Sequence, residues 1–169
     1  MNLSDIIRNI TEVIPTFTKL SLQDRSWLVA LYNKNYKMGT EAIGEDVFTN
    51  EDYVTTQSLK TRVKEYPETS VHDTEYMKRL ASGDEEALDN ILKSGDEDFI
   101  YQTYEENYTA WVPKSVEKTL ENIPEKFKKY DLDLLAKEAF SHGVLAVLEK
   151  LAKESIVEWA KAVAVEEEE

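Results

Sequence analysis

The stretch Asp131–Val165, DLDLLAKEAFSHGVLAVLEKLAKESIVEWAKAVAV, is the most apolar part of the chain and sets the narrowest limits on its fold. From Ala139 to Leu148 it carries no formal charge when His142 is neutral. A helix apolar on one stripe lies at a surface, whereas one apolar all round is covered by other elements. The segment therefore predicts a long helix whose middle is buried. Asp131 is placed to cap it, and Asp133 falls in its first turn, where carboxylates complement the helix dipole. The apolar stripe moves from Leu135, Ala139 and Phe140 to Leu148, Ala152, Ile156, Trp159 and Val163, so the two ends face different neighbours. An unbroken helix of this length would span roughly 50 Å. A compact chain of this size has a radius of gyration of roughly 15–16 Å. Gly143 is accordingly the expected kink or break.

The rest of the chain also reads as helices. Leu3, Ile6, Ile7, Ile10, Val13 and Ile14 recur at helical spacing, with Ser4 as cap and Pro15 as stop. Ser21 caps a second helix carrying Trp27, Leu28, Leu31, Tyr32 and Tyr36, which Gly39 ends. A loop follows to Thr49. A third helix starts at Thr49 or Asn50, buries Leu59, Val63 and Tyr66, and closes at Pro67. Its bases Lys60, Arg62 and Lys64 read as solvated charge. After Asp73 comes a short helix with Tyr76, Met77 and Leu80 inward.

LASGDEEAL at 80–88 then recurs as LKSGDEDFI at 92–100. Each copy puts Gly where a helix C-cap belongs and Asp where the next N-cap belongs. This predicts three short helices joined by tight turns, with Asp84 and Asp96 as caps. Phe99, Ile100, Tyr104, Tyr108 and Trp111 continue as an aromatic-rich stripe. Pro113 opens another helix with Val116, Leu120 and Ile123 inward. Only 69–72 and 109–112 leave room for a short strand. The expected fold is all-α: a compact bundle of roughly seven to nine helices around a long, kinked C-terminal helix. One helical domain covers 1–165, and 166–169 form an acidic tail expected to fray, since four glutamates at a helix C-terminus meet the negative end of the dipole.

Much chemistry is excluded by residue type. The chain has no Cys, which removes disulfides, thiolate metal sites and cysteine nucleophiles. Its start, MNLSDIIRNI, has no basic region before an apolar run, and the longest uncharged stretch is too short to span a bilayer. A soluble cytoplasmic protein, in its own or a host cell, is expected. The acids around Gly83 and Gly95 follow the glycine, the reverse of a calcium-binding loop. The two histidines, His72 and His142, lie far apart, and His142 on an apolar helix reads as a satisfied boundary residue. No phosphate loop, nucleophile elbow or paired-histidine metal motif occurs. The chain is not expected to be an enzyme or to hold a cofactor or metal.

Charge carries the functional expectation. The net charge is -14, and residues 84–106 hold nine acids against one base, Lys93, while residues 1–40 are slightly basic. Asp84, Glu85, Glu86, Asp89, Asp96, Glu97, Asp98, Glu105 and Glu106 form the candidate partner-binding face. Carboxylates on successive helical turns lie roughly 5–6 Å apart, near the phosphate repeat of a nucleic-acid strand. The expected function is that of a non-catalytic inhibitor or adaptor occupying a basic, nucleic-acid-binding surface of a protein partner. Such acidic, cysteine-free compositions occur among phage and mobile-element proteins of this kind, though no motif ties the chain to a family. Direct nucleic-acid binding is not expected, because the basic footprint is missing. The alternative is a virion or scaffold component, homo-oligomeric through helical faces that use Ile6, Ile10, Tyr104 and Tyr108.

Overall fold

The computed structural model describes residues 1–44, 47–48, 54–65, 74–94, 97–108 and 112–168. Eight α-helices lie among them: α1 (Leu3–Val13), α2 (Leu22–Glu41), α3 (Val54–Glu65), α4 (Thr74–Ala81), α5 (Glu85–Leu92), α6 (Phe99–Asn107), α7 (Val112–Glu117) and α8 (Leu132–Glu168). Three short 3-10 turns, Phe17–Lys19, Lys118–Leu120 and Glu125–Phe127, also lie among the described residues. The fold is all-α, as the periodicity predicts. The chain divides into two compact units, each built from two segments. The first comprises Met1–Ala42 and Asn107–Ala146, the second Ile43–Glu106 and Val147–Glu169.

In the first unit the aliphatic stripe of α1 is buried at Ile6, Ile10 and Ile14. It packs with Leu28, Leu31 and Tyr32 of α2, Phe127, and Leu132, Leu135 and Ala139 of α8. Full burial of a side chain such as Ile10 or Leu135 contributes about 1.5–3 kcal/mol. The cap of α1 is not Ser4 but Asn2, whose Oδ1 accepts from Asp5 N at 2.9 Å. Ser21 and Asp131 cap α2 and α8 as expected, accepting from Asp24 N at 3.2 Å and Leu134 N at 3.1 Å. Trp27 stacks on Phe127 with ring centroids 4.0 Å apart. Buried Asn35 donates to Leu31 O at 3.0 Å and accepts from Thr119 Oγ1 at 3.1 Å, so its amide is matched on both sides.

Neither glycine expected to interrupt a helix does so. Helix α2 continues past Gly39 to Glu41, and α8 runs unbroken through Gly143. The two glycines are where the helices touch. A Cβ on Gly39 would fall on the Phe140 carbonyl oxygen and lie 3.1 Å from Val144 N. A Cβ on Gly143 would fall on the Tyr36 carbonyl oxygen, 2.9 Å from Thr40 N and 3.1 Å from Gly39 Cα. Backbone meets backbone here, and only hydrogen fits between.

In the second unit the buried residues include Leu59 and Val63 of α3, Tyr76, Met77 and Leu80 of α4, Leu88, Ile91 and Leu92 of α5, Phe99, Ile100 and Tyr104 of α6, and Leu148, Ala152, Ile156 and Ala160 of α8. Gly83, at φ +81°, ends α4: its N–H donates to Leu80 O at 3.1 Å, and Asp84 N donates to Arg79 O at 3.1 Å. Asp84 then caps α5, accepting from Ala87 N at 3.2 Å. The second copy of the repeat departs from the first. Lys93–Ser94 pair antiparallel with Glu97–Asp98, in register Lys93 to Asp98 and Ser94 to Glu97. The cap of α6 is therefore Asp98, which accepts from Tyr101 N at 3.0 Å. Asp96, the expected cap, lies outside the described residues, as do His72, Asp73 and the proposed start of α3 at Thr49 or Asn50. The helical backbone of α8 continues past Val165 through Glu168.

Replacing Gly143 with Ala tests the close crossing. In an unencumbered helix the change would gain about 1 kcal/mol. Here it is expected to lower stability by about 3 kcal/mol or more, the upper end of overpacking, in urea denaturation. A stability equal to or above wild type would refute the contact.

Candidate functional site

The nine acidic candidates do not form one free face. Lys153 of α8 gathers part of them. Its Nζ lies 2.7 Å from Glu85 Oε2, 2.9 Å from Asp89 Oδ1 and 3.2 Å from Glu149 Oε1. The Lys153 side chain is only 17% exposed. Burial alone would depress its ammonium, but the hydrogen bonds it donates to Glu85, Asp89 and Glu149 outweigh that and hold it well above the usual lysine range. Glu149 also lies 3.7 Å from Lys93 Nζ, the one base of the acidic segment. This cluster was not legible from sequence, because Lys153 lies far from Glu85 along the chain and only the fold brings them together.

Two further candidates serve local structure. Asp84 caps α5 and accepts from Arg79 Nε at 3.0 Å; the Arg79 guanidinium first, and the Ala87 N–H second, hold its carboxyl below the usual range. Asp98 caps α6. Glu97 contributes its backbone to the two-stranded ladder. Glu86 of α5 and Glu105 and Glu106 of α6 are exposed. Among the described candidates, Glu86 and Glu106 are exposed without such a role, on helices whose other sides are buried.

The basic cluster of α3 also differs from a solvated patch. Arg62 donates from Nε to Ile91 O and places its guanidinium 5.8 Å from the Phe99 ring centre. Lys60 sits 5.0 Å from the Trp159 ring centre. Cations on aromatic faces gain from the ring quadrupole, so both residues belong to the packing of the second unit.

A polar network in the first unit was visible from sequence only as a boundary histidine. His142 Nδ1 lies 2.7 Å from Tyr32 Oη, which also accepts from Asn9 Nδ2 at 3.0 Å. His142 Nε2 is 3.7 Å from Glu138 Oε2. With neutral imidazole protonated at Nε2, the buried phenol donates to Nδ1 while accepting from Asn9. Burial pushes the Tyr32 phenol up to about 12 and pushes His142 below its ordinary value, partly offset by Glu138 and Glu12. A phenol held protonated here is no nucleophile; the network orders the contact of α1, α2 and α8. Among the described residues no group of three His, Cys, Asp or Glu is placed to hold a metal ion, and no helix is long and apolar enough to cross a membrane. No family model, curated protein or solved structure matches the chain.

Two outcomes follow. Lys153→Met leaves three carboxylates facing one another and should cost about 1–3 kcal/mol, between an exposed and a buried ion pair. Added salt should restore part of that loss by screening, and a salt-independent cost would assign it to packing alone. For His142, a folded value below the unfolded one means the unfolded chain binds the proton more tightly. The stabilisation is present above the unfolded value of about 6.5 and is lost as pH falls through the folded value. Relative to His142→Gln, the wild type should lose stability as pH falls below about 6.5. Parallel pH profiles for the two proteins would remove the network as the cause.

Proposed function

We propose that the chain is a non-catalytic binding protein, an inhibitor or adaptor, that presents a carboxylate surface to a basic protein partner. The observation that supports this is the division of labour among its acids. Lys153 and Arg79 engage Glu85, Asp89 and Asp84 internally. Glu86 and Glu106 remain exposed on helices whose opposite sides are buried. Carboxylates held on ordered helices steer a basic partner with little further loss of entropy on binding. A basic surface that otherwise receives nucleic acid is the kind such an array would occupy, since the partner chemistry is the same.

The assembly reading loses the contacts first assigned to it. Ile6, Ile10, Tyr104 and Tyr108 are all buried and so unavailable to a second chain.

The test compares two charge reversals. Glu86→Lys with Glu106→Lys should slow association with a basic partner captured at low salt by about tenfold, with little change in dissociation. Glu117→Lys with Glu121→Lys, an equal change in net charge on exposed residues of the first unit, should slow it much less. Equal losses from both pairs would reduce the effect to net charge and end the case for a specific face. Asp84 and Asp98 are unsuitable for this test because both are helix caps.

A further inference from the structure

The first unit carries an apolar groove between α1 and α2, of about 400 Å³. Leu3 and Ile7 form its α1 side, Leu22 and Val29 its α2 side, and Phe17 joins them. Its rim is open: Leu3 is 62% exposed and Leu22 72% exposed. Large aliphatic side chains left at the mouth of a groove mark a binding surface more often than chance exposure.

Arg25 carries the sole charge in this lining. Its Nε is buried and meets no hydrogen-bond acceptor among the described residues. A buried donor without an acceptor is costly, and turning the guanidinium toward an arriving carboxylate would forfeit no bond through Nε. Further along α2, Lys34 is exposed and Lys37 pairs with Glu41 at 4.0 Å, while Asp24, the acid of its first turn, is taken by Lys126 at 2.8 Å. The groove therefore selects an occupant with an apolar stripe and acids beside it. Its form is set by α2, where Ser26 and Ala30, both exposed and one turn apart, border the groove and leave room for a backbone to approach. The lining runs from Leu22 to Asn33, about 16 Å of helix.

We propose that this groove docks an amphipathic helix of a partner protein, apolar face inward, with one of its carboxylates on Arg25. The groove belongs to the first unit and the acidic candidates Glu86 and Glu106 to the second.

The probe is a fluorescent amphipathic peptide of about 18 residues with leucines on one face and glutamates beside them, against a twin carrying lysines for glutamates. The full chain should bind the acidic peptide at least about tenfold more tightly than the twin. Arg25→Gln should erase most of that preference, and Ala30→Glu, at an exposed position, should abolish acidic-peptide binding with unchanged melting. Amide resonances of Leu3, Ile7 and Val29 should move on titration. Equal binding of both peptides, binding of neither, or a preference that survives both substitutions would overturn the proposal. So would adsorption of the chain to phosphatidylglycerol vesicles, or self-association lost in Leu22→Ser, if the acidic peptide does not compete with either. None of these measurements involves Glu86 or Glu106, so failure here is distinguishable from failure of the acidic surface.

Discussion

The first unit depends on a backbone-to-backbone contact between α2 and α8 at Gly39 and Gly143. Each glycine lies against a carbonyl of the opposite helix, Phe140 or Tyr36. Two helices normally keep 8–10 Å between axes because side chains stand between them. Removing both side chains at the crossing lets the polypeptides meet. That proximity places His142 within hydrogen-bond distance of Tyr32, and Tyr32 within reach of Asn9 on α1. The polar network thus follows from the glycine pair: the glycines join α2 to α8, and the network adds α1 through Asn9.

The second unit is ordered by a different force. Its acids are numerous enough to oppose close packing of α5 against α8, and one lysine reverses that. Lys153 converts Glu85, Asp89 and Glu149 from mutual repulsion into a shared ion cluster. Carboxylates paired with Lys153 or Arg79, or capping a helix, are held by the fold. Composition weighs all nine acids alike, while the geometry does not.

The candidate site was legible in sequence as a region and not as residues. The density of acids between Asp84 and Glu106 is plain from one-dimensional counting. Which of them are engaged depends on Lys153 and Arg79. The repeat 80–88/92–100 misled for a local reason. Gly83 at φ +81° carries out the predicted C-cap, but Lys93 and Ser94 fall into extended pairing with Glu97 and Asp98, moving the cap two residues on. Identical SGDE strings thus lead to caps at different places, Asp84 in the first copy and Asp98 in the second. The groove of the first unit was equally invisible: the aliphatic stripe of α1 read as core, and half of it is, but Leu3 and Leu22 open outward.

What the sequence by itself determined is everything carried by period and by short-range caps. The helical class, the buried stripes at Ile6, Ile10 and Ile14 and from Leu135 to Ile156, and the caps at Ser21, Asp84 and Asp131 all follow from neighbours within four residues. Tertiary structure alone decided the meaning of the glycines and the charges. Gly39 and Gly143 are helix breakers by propensity, at a cost of about 1 kcal/mol each, and a close crossing offsets that cost only once another helix is there to use the space. Lys153, Arg62 and His142 likewise acquire their roles from partners far along the chain. Local free energies can be read residue by residue, whereas contact energies depend on which distant residues folding has brought within a few ångströms.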